Sequence, residues 1–364
     1  MLENAIRDTL TARLPAEPMK PVVDPADWTG ADLAAVDDWR YVLTADEVLE
    51  LDDAVARVTA RGIEIKDITL PDFPLPGLDA KLARIKDQLM EGRGIALLSG
   101  VPVERYTLEQ AAMAYWGVGL RIGQPVSQNR NGHLLGHVYD LVGPDRGAHP
   151  SYRAYHTSAD LNFHSDSCDV VGLLCLRKAK LGGQSKVASS VAIYNAILRR
   201  RPDLAAELVK PWYIDRREEI PPGKDPWFQM PVFCFKDGYF STNWHNYYVR
   251  TAQRFEELPR FTDAQTDALD MVDEVAEELH HDMAFEPGDI QFLHNHVCMH
   301  GRTVYEDWPE PDRKRHLLRL WLATPGGRPL VDEILERYVG LSPGQRPAGI
   351  IVEGMQLTTP LTPE

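Results

Sequence analysis

No apolar run in these 364 residues reaches the length of a membrane crossing. Met1 opens a mixed polar segment without an apolar core, so no secretory leader is expected. Cysteine is scarce. Cys168, Cys175, Cys234 and Cys298 stand far apart and make no CxxC pair. That pattern is reduced and cytoplasmic, and it rules out a disulfide scaffold. Positive charge is in deficit: 39 Lys and Arg against 54 Asp and Glu leave a net charge of −15. Such a balance argues against nucleic acid or an anionic membrane as partner, while a local basic pocket stays compatible with it. Internal repeats and low-complexity tracts are also missing.

What is present describes an ordinary globular chain. Hydrophobic residues make up 44%, enough to build a core. The length suits about two domains, or one large β domain with extensions. With 27 prolines and 26 glycines, long uninterrupted helices cannot dominate. Helical signals concentrate early. Thr44 and Glu47 form a capping box ahead of Val48, Leu51, Val55 and Val58. Leu78, Leu82, Ile85 and Leu89 mark a second helix, and Thr107 with Gln110 opens a third that runs to about Trp116. From residue 120 the pattern turns to short strands and turns. Val170–Leu176, Lys186–Ala188, Ile290–Leu293 and His316–Leu322 read as strands, and Val232–Phe235 with Tyr239–Thr242 as a hairpin. Further helices follow Ser189 and Thr262. The fold class is mainly β with packed helices, a jelly roll or other sandwich. We divide the chain into a mostly helical extension (residues 1–80), a core (81–330) with lid loops around 124–160 and 212–230, and a C-terminal helix and tail (331–364).

The chemistry centres on Leu161–Asp169, where His164 and Asp166 stand two residues apart. On a strand both side chains share one face, whereas a helix would splay them by about 200°. An imidazole and a carboxylate on one face need one more histidine to complete the facial triad of non-haem iron(II) oxygenases. His294, His296 and His300 are the candidates, and strand alternation does not choose among three even-numbered positions. Gly301 permits close approach beside His300. The bland alternative is a histidine satisfied by a nearby carboxylate. Arg315 and Arg319 lie four apart in an apolar strand, so both face one side. An arginine among apolar residues needs an anionic partner, and guanidinium suits a dicarboxylate. Arg313 and Lys314 read instead as a solvated charge run. Gln128, His137, Tyr155, His156 and Asn162 read as supporting residues, Trp244 and His245 as packing, and Cys168 and Cys298 as small buried hydrophobes.

Taken in order, Phe163-His-Ser-Asp166, Gly182-Gly-Gln-Ser185, Glu286-Pro-Gly-Asp289, Asn295-His-Val-Cys-Met-His300-Gly-Arg302 and Arg315-His-Leu-Leu-Arg319 resemble the TauD/TfdA group of iron(II)- and 2-oxoglutarate-dependent dioxygenases. The resemblance covers about residues 90–325. It implies a double-stranded β-helix, a cupin-like jelly-roll core with helices outside. It also implies Fe(II), 2-oxoglutarate and O2 as cofactor and cosubstrates, with His164, Asp166 and His300 as metal ligands. Ser185 and Arg315 would grip the distal carboxylate of 2-oxoglutarate, and Arg319 an anionic group of substrate or the C1 side of the cosubstrate. Gln184 departs from the acidic residue usual before that hydroxyl, and the gap from His300 to Arg315 is long for the family. The activity implied is hydroxylation, desaturation or ring closure of a small polar metabolite, carboxylated or amino-acid-like, with release of succinate and CO2. The carboxylate at Asp166 stands where halogenases of this broad group carry a small residue. The partner expected is a small molecule, with no nucleic acid and no membrane, and the chain a monomer or homodimer. The competing readings are another metal-dependent cupin-type enzyme and a non-catalytic binding jelly roll. The pairing of Ser185 with Arg315 weighs against the first, and the full His/Asp/His set against the second.

Overall fold

One strand shows how the apolar pattern builds the architecture. In His316–Ala323, Leu317 and Trp321 join one buried cluster, while Leu318, Leu320 and Leu322 join a second. The two-residue repeat of a strand therefore feeds two cores, one on each face. The structure is a computed structural model that describes residues 12–142, 154–337, 341–342 and 346–363.

In chain order the strands that matter are β1 (Arg40–Val42), β2 (Ile95–Ser99), β3 (Gln124–Pro125), β4 (Leu135–Tyr139), β5 (Leu161–His164), β6 (Val170–Arg177), β7 (Ser185–Ser189), β8 (His281–Met283), β9 (Ile290–His294), β10 (Cys298–Arg302) and β11 (His316–Ala323). The larger sheet runs β1-β2-β9-β6-β11-β3, with β4 also pairing β11. The smaller runs β8-β7-β10-β5. Pairing is antiparallel except between β1 and β2. Gln291 of the larger sheet donates to Ser185 of the smaller at 3.3 Å, so the sheets face each other across a shared interior. This is the jelly-roll core expected.

Helices α1 (Ala45–Arg61), α2 (Asp79–Met90) and α3 (Leu108–Ile122) cover the outer face of the larger sheet through Leu51, Leu82, Ile85 and Tyr115. Helices α4 (Ser190–Arg200), α5 (Pro202–Leu208) and α6 (Asp263–Leu279) pack outside the smaller one. Capping boxes at Thr44, Thr107 and Thr262 start α1, α3 and α6. Helix α3 continues past Trp116 to Ile122 because its glycines serve packing. A Cβ at Gly117 would lie 2.3 Å from Phe73, and one at Gly119 2.7 Å from Leu320. The four cysteines are buried, unlinked thiols, and Trp28 and Trp39 are buried too. No helix among the described residues is long and apolar enough to cross a membrane. The C-terminal tail returns to the core, bridging Gly349 to Ser127 and Thr358 to His133.

The central segment departs from expectation in one respect. Strand β5 stops at His164, and Asp166 lies in the loop beyond it. Its backbone donors are captured elsewhere. The Ser165 N–H donates to the Trp244 carbonyl at 2.9 Å, and the Asp166 N–H to the Asn295 side-chain oxygen at 3.0 Å. A ladder cannot continue where its N–H groups are already taken.

Candidate active site

Strand register brings the two histidines together. His164 on β5 pairs directly with His300 on β10, and their rings lie 4.3 Å apart. The loop after β5 then folds Asp166 back beneath them. Its two carboxylate oxygens lie 3.8 Å from His164 Nε2 and 3.8 Å from His300 Nε2. One donor atom from each residue falls within 4.8 Å of the others. These gaps are too long for hydrogen bonds and wide enough to admit an ion between the donors. His164 Nδ1 donates to the Asn162 carbonyl at 2.9 Å, so its Nε2 carries the free lone pair.

Electrostatics favour the same reading. Burial, reinforced by the neighbouring imidazole, pushes His300 down to about 3, and burial lowers His164. Both rings are held neutral, the form that ligates a metal. Burial opposes ionisation of Asp166, but the Arg319 guanidinium and the Trp321 indole N–H hold its carboxyl below the usual range. Trp321 Nε1 donates to Asp166 Oδ2 at 2.9 Å. Two nitrogens and a carboxylate on one side fit a divalent transition metal of the iron class.

His294 and His296 do not join this group. His294 is fully buried, with its ring edge-on to His296 at 5.4 Å. His296 donates to Asp169 at 2.9 Å. That carboxylate also accepts from Arg346 Nε at 2.9 Å and from the Thr324 N–H at 2.8 Å. Burial raises Asp169, yet these partners keep it well below the ordinary carboxylate range.

The arginines separate. Arg319 has internal partners, with Nε 2.7 Å from Gln128 Oε1 and Nη1 3.8 Å from Asp166. Its guanidinium lies over Tyr155 at 4.4 Å. With His164, Asp166 and Trp321 it lines a cavity of about 370 Å3, whose wall also includes Arg217, His245, Tyr248 and Ile350. His245 thus reaches the wall, stacked on Tyr248, besides its packing role. Arg315 is 5% exposed, its Nη1 has no partner, and it makes no ion pair among the described residues. Ser185 is buried opposite Arg302 in the β7–β10 register, its hydroxyl held by Gln291. Neither Ser185 nor Arg315 lines the larger cavity.

Trp321, Asn295 and Arg346 hold the site together, and nothing in the sequence assigns them these contacts. They lie 155, 129 and 177 residues from the acids they contact, and no spacing rule links such positions.

A family model described as taurine catabolism dioxygenase TauD, TfdA family matches residues 59–321. FR-33289 synthase of Streptomyces rubellomurinus (strain ATCC 31215) is 32% identical over 338 residues, covering 90% of this chain and 98% of that protein. The taurine hydroxylase-like protein SAT17 of Stachybotrys chartarum (strain CBS 109288 / IBT 7711) is 29% identical, covering 83% and 82%. Among solved structures, asparagine oxygenase with Fe(II), 2S,3S-3-hydroxyasparagine and succinate aligns with a TM-score of 0.62 at 15% identity, over 86% of this chain and 98% of that one. The non-haem iron oxygenase OrfP with Fe and alpha-ketoglutaric acid aligns at 0.58 and 16% identity, over 78% and 93%. At such identities these structures establish a shared fold.

Proposed function

The chain belongs to the taurine catabolism dioxygenase TauD, TfdA family of 2-oxoglutarate-dependent non-haem iron dioxygenases, and from that membership we propose that His164, Asp166 and His300 are its iron ligands. The observation that carries this reading is the meeting of their donor atoms within 4.8 Å. Iron(II) bound there supplies the coupling of 2-oxoglutarate and O2 consumption to attack on an unactivated carbon, with succinate and CO2 released. The protein contributes placement. Asn162 orients His164, while Asn295 and Trp321 orient Asp166. Arg315, a buried cation with an unused donor, takes the distal carboxylate of 2-oxoglutarate, and Ser185, two residues on from the Gly183 that packs against Arg315, supplies the hydroxyl. Arg319 faces the larger cavity and meets an anionic group of the substrate.

The substrate we infer is a small polar metabolite that carries an anion, amino-acid-like in size. The cavity holds about 370 Å3. Arg217 stands at its wall over the rings of Tyr247 and Tyr248, at 5.2 and 5.3 Å, ready for a second anionic contact. Solved relatives of the same fold contain hydroxyasparagine or hydroxyarginine. Among the described residues, Gln128 and Tyr155 of the first predicted lid region (its residues 143–153 lie outside those described) and Arg217 and Glu219 of the second line this cavity, which supports a covering role. The buried, unlinked thiols fit a reducing compartment such as the cytoplasm.

Anaerobic Fe(II) with 2-oxoglutarate is expected to give a weak visible charge-transfer band. Its absence with bound metal verified would sink the assignment. A screen of amino acids, betaines, sulfonates and small aromatic acids for stimulated succinate release then identifies the substrate.

A further inference from the structure

Arg315 stands at the end of a second cavity. About 250 Å3 in volume, it is lined by Arg177, Lys178, Lys180, Gly183, Arg315 and Leu317 among others, with no acidic side chain in its wall among the described residues. It shares no lining residue with the larger cavity. The two nevertheless approach one strand face from opposite ends. Leu317 lines the second cavity and Arg319 the first, and these are successive inward positions of β11, about 7 Å apart.

Three features suit this cavity to an anion. Arg315 is buried with Nη1 unpartnered, and a buried cation calls for a counter-charge. Gly183, at φ +75°, lets Arg315 pack close against the backbone at the cavity wall, since a Cβ there would stand 3.1 Å from Arg315 Nε. At the rim, Lys178 is paired with Glu286 at 2.7 Å and Lys180 with Glu306. Exposed pairs of this kind are weak and exchange readily with a passing anion. The whole chain carries −15 and so repels a dianion. A local cationic approach is what such a ligand requires to arrive quickly.

We propose that this second cavity is the port through which 2-oxoglutarate enters and succinate leaves, separate from the mouth used by the substrate. Lys178 and Lys180 steer the dianion, and Arg315, held against Gly183 with Nη1 unused, receives it. The proposal rests on the oxygenase reading above.

The test is anaerobic stopped-flow mixing of the Fe(II)-loaded full-length protein with 2-oxoglutarate. The growing charge-transfer absorbance reports binding without turnover. Lys178→Glu/Lys180→Glu is expected to slow association about 10-fold at low salt, flatten its salt dependence and leave the saturating amplitude intact. Ala179→Trp, at the rim, should slow association and release together and preserve the affinity. Charge reversal at the remote surface residue Lys66 should change the rate less than about 2-fold. Unchanged rates in both port variants, or equal slowing by Lys66→Glu, would overturn the port. No absorbance from iron-loaded wild type would overturn the oxygenase reading instead.

Discussion

Asp166 and Asp169 lie three residues apart in one loop, each buried beside histidine and arginine, yet they do opposite things. Asp169 is fully enclosed, and its oxygens take direct hydrogen bonds from His296, Arg346 and the Thr324 N–H. Nothing further can bind there. Asp166 receives one side-chain hydrogen bond, from Trp321, while His164, His300 and Arg319 stand off at 3.8 Å. The first set is complete and structural, and the second is incomplete by the width of an ion. Residue type does not distinguish them. Distance does.

The strongest way to break the contrast is to exchange the consequences of losing each acid. Asp166→Ala should abolish iron retention and cut oxygen-dependent succinate release by more than about 100-fold, with little change in urea-unfolding stability. Asp169→Ala should instead destabilise the fold by about 3–5 kcal/mol, because Arg346 and His296 stay buried without their counter-charge. Equal effects of the two on stability would remove the distinction. Arg315→Met extends the contrast to a buried cation with an unused donor and no ion pair among the described residues. Its KM for 2-oxoglutarate should rise about 10–100-fold while unfolding stability holds or increases, since an uncompensated buried charge is gone. Trp321→Phe removes the indole hydrogen bond to the Asp166 carboxylate and should weaken iron binding about 10-fold by metal titration. The smallest effect is on acid stability. Asp169 has a folded pKa below its unfolded value of about 3.9, so its contribution is present above that pH and is lost as pH falls through the folded value. The stability gap between wild type and Asp169→Asn should therefore shrink below about pH 4, as measured by urea unfolding.

Much of this was legible along the chain. Capping boxes at Thr44, Thr107 and Thr262 began helices where expected, and alternation in His316–Ala323 marked Arg319 for an internal partner. The pairing of His164 with Asp166 was visible as a spacing, although its reason differs. The strand ends at His164, and a loop held by Asn295 and Trp244 delivers the carboxylate. The choice among His294, His296 and His300 was not open to spacing. Their surroundings separate them: cross-strand register sets His300 beside His164, and Asp169 captures His296.

The sequence by itself determined which chemistry the chain carries: imidazole, carboxylate and guanidinium on segments whose apolar alternation turns them inward. Local periodicity encodes direction, and direction needs only neighbours. Tertiary structure alone decided which acid is left open and which is closed, and which arginine keeps an unused donor. Those outcomes depend on distances between residues more than a hundred positions apart, which arise only once two sheets close over a shared interior.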